Sequence, residues 1–201
     1  MKRAVWRHGW WKDARPIASP NFNPRPEGAR IGLAVVHSIS LPPGSYGGDE
    51  VEAFFCNRLD HAADPYFDAL RELRVSAHFF IRRDGRVLQF VSCDQRAWHA
   101  GASSWNGREQ CNDFSIGIEL EGLEGEAFEP AQYAALVRLL RSAARRYPIE
   151  AVVGHEHIAP GRKADPGPRF DWRALSRSLV GGPRVAAQAI ADHRGSSGYG
   201  R

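Results

Sequence analysis

Cysteine is scarce in this chain of 201 residues: only Cys56, Cys93 and Cys111 occur, an odd number at wide spacing. That count excludes a disulfide framework, and no C-x-x-C pair is available for a structural zinc site. The three are expected to be reduced thiols packed as small apolar residues. Long apolar runs are also missing. No stretch approaches the ~20 residues needed to span a bilayer. The start, from Met1 to His8, is basic but lacks the apolar run of ~7–15 residues that a secretory signal requires. The expectation is a cytoplasmic protein with no membrane attachment. Charge of one sign is weak as well, with a net charge of +4 and scattered basic residues. No basic stripe interleaved with aromatics marks a nucleic-acid partner, although a mild positive bias suits a small carboxylate-rich substrate. At 43% hydrophobic and 25% charged residues, the composition is that of a folded domain, which excludes wholesale disorder.

What is present reads as three stretches. Residues 1–30 are rich in Trp, Pro, Arg and Asn and form an extended N-terminal arm packed on the domain by its aromatics. Residues 31–180 carry the periodic segments. Residues 181–201 have no periodic apolar pattern and read as a flexible C-terminal tail. Within the middle stretch, Ile31–Val36 is a buried-strand run that stops at His37. Asp49, with Glu52 three residues later, has the pattern of a capping box ahead of the apolar face Val51, Phe54, Phe55 and Leu59. Pro65 to Leu73 is a short helical piece. Val75–Ile81 and Val87–Val91 flank Asp84-Gly85, a hairpin signal. Phe114–Leu120 alternates, with Ser115, Gly117 and Glu119 sharing one side; the small residues beside that carboxylate leave room for something to sit over it. Pro130 opens a helix that Pro148 ends. Ala151–Val153 is a last strand, ending at Gly154-His155, and a short helix near Trp172, Leu175 and Leu179 closes the domain. Strands alternating with helices give an α/β fold: a single domain with a central mixed β-sheet flanked by helices.

Of the eight histidines, His8 and His193 lie in the ends and His61 in a polar stretch. His37 and His155 each fall where an apolar strand gives way to a loop, the edge at which ligands bind in open α/β sheets. Two imidazoles there can share a metal with a carboxylate. Asp165, ten residues after His155 in a Pro/Gly-rich loop, is the best-placed third ligand. Two His and one Asp leave one tetrahedral position open, a catalytic arrangement. Glu119 is a candidate general base or acid, against the reading of an exposed strand carboxylate. Lys163 is a candidate for neutralising an oxyanion, against that of a solvated loop lysine. His155-Glu156-His157 offers a rival H-x-H pair, because residues i and i+2 share a face in an extended segment.

Four segments resemble a known family. Val35-Val36-His37-Ser38, Ala97-Trp98-His99-Ala100-Gly101, Cys111-Asn112-Asp113-Phe114-Ser115-Ile116-Gly117-Ile118-Glu119 and Gly154-His155-Glu156-His157 continuing to Asp165-Pro166-Gly167-Pro168 are similar to the AmpD amidases. These are the bacterial 1,6-anhydro-N-acetylmuramoyl-L-alanine amidases of cell-wall recycling, within the wider group of phage-lysozyme-type amidases and peptidoglycan-recognition proteins. The likeness runs from about residue 18 to residue 180. It implies that residues 31–180 are a zinc amidase domain with His37, His155 and Asp165 as the ligands of one catalytic Zn2+, which sets His157 aside. It further implies Glu119 and Lys163 as catalytic groups and Trp98 as a wall of the substrate pocket. Arg74 and Arg108 are candidates for holding the peptide carboxylates, with Arg162 behind them. His78 is expected to be a buried, hydrogen-bonded histidine. Ser38 departs from the family, which commonly has Asn there. The implied reaction is hydrolysis of the bond between the lactyl group of an anhydromuropeptide and L-alanine, on a small-molecule substrate and with no obligate protein partner. The alternatives are a non-catalytic muropeptide-binding module and an amidase acting on polymeric peptidoglycan.

Overall fold

The computed structural model describes residues 5–186. A seven-stranded mixed sheet runs through it, built in chain order from β1 (Arg15–Pro16), β2 (Leu33–Ile39), β3 (Phe79–Ile81), β4 (Val87–Gln89), β5 (Ser115–Glu121), β6 (Ala151–Gly154) and β7 (Arg184–Val185). Their order across the sheet is β7-β6-β2-β5-β3-β4-β1. All neighbours are parallel except the β3–β4 hairpin. That hairpin turns at Asp84-Gly85, where Gly85 has φ +83°; a Cβ there would lie 2.8 Å from the Ala131 carbonyl oxygen, so the turn needs glycine twice over.

The central strands are buried on both faces, and their alternation sorts the two sides. Ala34 and Val36 of β2 and Ile116, Ile118 and Leu120 of β5 face one way, into a core shared with Leu136, Leu139 and Leu140 of α2 (Pro130–Ala144). Each fully buried leucine of that helix contributes roughly 1.5–3 kcal/mol. Pro130 occupies the first turn, and the Gln132 side chain accepts from the Glu129 amide at 3.0 Å while donating to the carbonyls of Ile81 and Glu121. His37, Gly117 and Glu119 therefore project from the face that α2 leaves uncovered.

Several boundaries differ from the sequence expectation. β2 continues two residues past His37, because it pairs with β5 along its whole length, from Ser115 opposite Leu33 to Glu121 opposite Ile39. The capping box at α1 (Glu50–Phe55) does not form. Asp49 makes no side-chain cap; its carboxylate and that of Glu52 turn to Arg82, which also reaches Glu121 at 3.2 Å. A buried guanidinium offers charge-assisted bonds stronger than a neutral cap. Pro65–Leu70 is a 3-10 helix capped by Asp64.

The arm is more than packed on: Arg15–Pro16 is the edge strand beside β4, and Phe22–Pro24 pairs with Gln95–Ala97. Trp6 and Trp11 stack on each other and meet Phe79 edge-on. Arg25 donates to the carbonyls of Cys93, Asn112, Asp113 and Ser115, tying the arm to the segment before β5. At the other end, Arg184–Val185 of the expected tail extends the sheet beside β6, with Val185 and Ala186 buried. A two-residue strand is too short to show a period. The rest of the tail, and His193 with it, lies outside the described residues. All three cysteines are buried thiols. Among the described residues, no helix is long and apolar enough to cross a membrane.

Candidate active site

Parallel pairing places the chemistry at one sheet edge. Glu119 is directly opposite His37 in the β5–β2 register, so both side chains rise from the same face. Gly154 lies opposite Val36, which sets His155, the first residue of the one-turn helix α3 (His155–Ile158), beside His37. The loop after α3 returns Asp165, whose carbonyl accepts from the Glu156 amide at 3.0 Å. His37 Nδ1, His155 Nδ1 and Asp165 Oδ2 then form a triangle with sides of 3.0, 3.0 and 3.1 Å. All three residues are buried. A tetrahedral metal with arms of ~2.0–2.1 Å spaces its donors by ~3.3–3.4 Å, so this triangle is close to the base of such a site.

The outer nitrogens decide what the triangle offers. His155 Nε2 lies 3.1 Å from the Ala100 carbonyl, which can only accept, so that nitrogen carries the hydrogen. With that hydrogen on Nε2, the His155 ring turns Nδ1 inward as the nitrogen available to a ligand. Burial pushes the pKa of His37 down to about 4 and keeps its ring neutral. Asp165 brings its carboxylate Oδ2 to 3.0 and 3.1 Å from the two inward nitrogens. Two lone pairs and one anion pointing at a common centre repel one another unless a cation lies between them. The donor set thus fits a metal ion, and these three form a metal-capable group among the described residues.

A cavity of about 430 Å³ opens above the triangle, lined by Trp98, His99, Glu119, Lys163 and the three donors, with a wall from Tyr66, Leu70 and Leu73. Glu119 Oε2 is buried with no hydrogen-bond partner. Its pKa is raised well above the ordinary value by burial, with the nearby Asp165 adding to the effect and Lys163 opposing it. A buried, unpaired carboxyl facing a cavity is poised to take a proton. Trp98 lines the same space, its indole N–H donating to Asn23 Oδ1 of the arm at 2.7 Å. Ser38 lines it too, with a buried hydroxyl that has no partner.

Other sequence candidates lie elsewhere. Arg74 is exposed outside the cavity, donating to the carbonyls of Arg71 and Leu73. Arg108 stacks over Phe114 at 3.9 Å and lines a separate hollow with Gly32 and Leu33, at the N-terminal ends of β2 and β5. Arg162 spends its guanidinium on the carbonyls of Ala100 and Ala102. His157 is no rival ligand: the chain turns helical at His155, so two positions rotate it ~200° away. There its Nδ1 accepts from the Gly154 amide and its ring meets Trp172 edge-on. His78 is buried with both nitrogens bonded. His61 lies outside, against the Phe67 carbonyl. His99 had no role from sequence, yet its Nδ1 is 3.0 Å from His37 Nε2. The clue was Gly117: a Cβ there would lie 2.4 Å from the His99 ring, so the space beside Glu119 is where that imidazole sits.

Two imidazoles and a carboxylate able to hold a metal, converging beside an unpaired carboxyl at the C-terminal ends of the sheet's parallel strands, define an α/β hydrolase. Residues 27–168 match the Amidase_2 family model, N-acetylmuramoyl-L-alanine amidase, and the chain belongs to that family. It is 52% identical over 174 residues to the 1,6-anhydro-N-acetylmuramyl-L-alanine amidase AmpD of Citrobacter freundii, covering 86% of this chain and 92% of that one. Among solved structures, a selenomethionine AmpD derivative superposes with a TM-score of 0.82 at 50% identity, covering 86% of this chain and 99% of that one. The amidase AmiD from E. coli, in complex with anhydro-N-acetylmuramic acid-L-Ala-D-gamma-Glu-L-Lys, gives a TM-score of 0.57 at 32% identity, covering 83% of this chain and 65% of that one.

Proposed function

We propose that this enzyme hydrolyses the amide bond between the lactyl group of (1,6-anhydro)-N-acetylmuramic acid and L-alanine in muropeptides released during cell-wall recycling. The observation that carries this is the unpaired Glu119 carboxyl beside the donor triangle of His37, His155 and Asp165, in a chain half-identical to a 1,6-anhydro-N-acetylmuramyl-L-alanine amidase. One Zn2+ is the ion that two imidazoles and a carboxylate suit, and when bound it supplies Lewis acidity toward the scissile carbonyl and lowers the pKa of water. Glu119 takes the proton of the attacking water and returns it to the departing L-alanine amine; the burial that raises its proton affinity suits it to hold that proton between the two steps. Lys163, at the cavity rim, places positive charge near the developing oxyanion. Trp98, fixed by Asn23, forms one wall of the substrate pocket. In this reading residues 31–180 are the catalytic domain, the arm of residues 1–30 packs on it and braces Trp98 through Asn23, and the enzyme works in the cytoplasm on soluble fragments.

The test is mass spectrometry of the full chain incubated with anhydromuramoyl-tripeptide, with chelator and then with zinc restored. Free tripeptide should appear, stop on chelation and return with zinc. Glu119→Ala should bind zinc normally and lose on the order of 10²–10⁴ in rate. No release from zinc-loaded wild type refutes the reaction, and near-normal turnover by the variant refutes the role of Glu119.

A further inference from the structure

Beside the metal donors runs a chain of polar groups, buried except for the half-buried His99, that the proposed reaction does not use. His37 Nε2 faces His99 Nδ1 at 3.0 Å, His99 Nε2 faces Ser115 Oγ at 3.2 Å, and Ser115 Oγ lies 2.5 Å from the Cys111 carbonyl oxygen. Counting hydrogens from the far end fixes every link. The Cys111 carbonyl can only accept, so the single hydroxyl hydrogen of Ser115 goes there. Toward His99 the serine oxygen is then an acceptor, and His99 carries its hydrogen on Nε2. A neutral His99 turns a lone pair on Nδ1 toward His37, which donates through Nε2–H. His37 is left with a bare Nδ1 facing His155 and Asp165.

The relay is built to stay in place. The Asn112 side-chain oxygen accepts from the amides of His99 and Ala100, pinning that backbone. Gly117 provides the floor under the His99 ring, and His78 closes in edge-on at 5.8 Å. The two imidazoles of the triangle are thus set differently: His155 by one backbone carbonyl, His37 by a three-link relay ending on another.

We propose that His99 is a positioning residue that holds His37 in the tautomer presenting Nδ1 to the metal, with Ser115 and the Cys111 carbonyl setting the tautomer of His99 in turn. This rests on the reading of His37, His155 and Asp165 as a zinc site. A partner of this kind orients its ligand and raises the ligand's basicity.

The experiment measures zinc affinity of the full chain by competition with a chromophoric chelator, and the visible absorption spectrum of the cobalt-substituted protein. Wild type should bind one zinc tightly; failure to do so overturns the zinc reading itself. His99→Leu removes the acceptor and should weaken zinc binding about 10–100-fold and alter the cobalt spectrum. His99→Asn places an oxygen acceptor near the lost Nδ1 and should restore affinity to near wild type, a rescue that a purely space-filling role does not give. Ser115→Ala, which keeps both histidines, should cost roughly 3–10-fold and serves if His99→Leu fails to fold. Wild-type zinc binding unchanged in His99→Leu, or in Ser115→Ala where the leucine variant is unfolded, overturns the assignment. So does a His99→Asn variant as weak as His99→Leu.

Discussion

Acid sensitivity of the fold should trace in large part to His78. This ring is fully buried. Its Nδ1 accepts from the Gly117 amide at 3.0 Å, and Nε2 lies 3.1 Å from both the Gln95 carbonyl and the Arg25 guanidinium. Protonation would set an N–H against the Gly117 N–H and a cation against Arg25. Burial first, and the Arg25 charge second, push its pKa from 6.5 down to about 3. Between those values the unfolded chain binds the proton and the folded one does not, so stability rises with pH across the window and falls as pH drops below 6.5. From pH 7 to pH 5 the linkage relation gives a loss of about 2 kcal/mol from this residue alone. The perturbation is His78→Asn, which keeps an acceptor for the Gly117 amide and cannot titrate. Any packing defect it introduces shifts stability equally at every pH. Urea unfolding of the zinc-free full chain at pH 5, 6 and 7 reads the difference, and because His37 and His99 remain in both proteins, subtraction isolates His78. Wild type should lose about 2 kcal/mol more than the variant between pH 7 and pH 5. Equal losses would refute the argument that His78 is locked neutral.

Gly117→Ala puts a methyl group 2.4–2.6 Å from three atoms of the His99 ring. It should destabilise the protein by about 1–3 kcal/mol and weaken zinc binding by displacing His99 from His37; thermal unfolding with a parallel zinc titration checks both, and no change in either contradicts the close packing. In the metal-free protein, Glu119→Gln should be more stable than wild type at pH 8, with the advantage shrinking toward pH 4. The folded pKa of Glu119 is raised by burial above its ordinary 4.5, so its stabilising contribution is complete below that value and lost as pH climbs through the folded one. Unfolding curves in chelator across that range decide it, and a variant less stable at pH 8 would mean the carboxylate is not penalised by its surroundings.

The legible part of the molecule was the part written in local pattern. The alternation in Phe114–Leu120 placed Ser115, Gly117 and Glu119 on one side before any fold was known. Asp84-Gly85 marked the β3–β4 turn, and apolar runs ending at His37 and His155 pointed to two members of the group that could hold a metal, since strand ends in an open sheet meet at one edge. Signals without a period misled. Arg74 and Arg108 were attractive for their charge, and nothing local says which end of a strand an arginine will flank. The cap expected at Asp49 and Glu52 lost to Arg82, 30 residues or more distant in sequence, because a buried guanidinium draws carboxylates more strongly than an amide does.

The sequence by itself determined which segments become strands and helices, which face of β5 holds the carboxyl, and which residue types are available to bind a metal. All of these follow from side-chain periodicity and the backbone preferences of Gly and Pro. Only the tertiary structure decided which atoms meet. It placed Glu119 opposite His37, turned His157 away at the start of α3, and lowered the His99 ring onto Gly117, within reach of both His37 and Ser115. Those outcomes depend on strand register and on contacts between residues as much as 128 positions apart, and a hydrogen bond formed or missed over a few tenths of an ångström is set by the packing of the whole core.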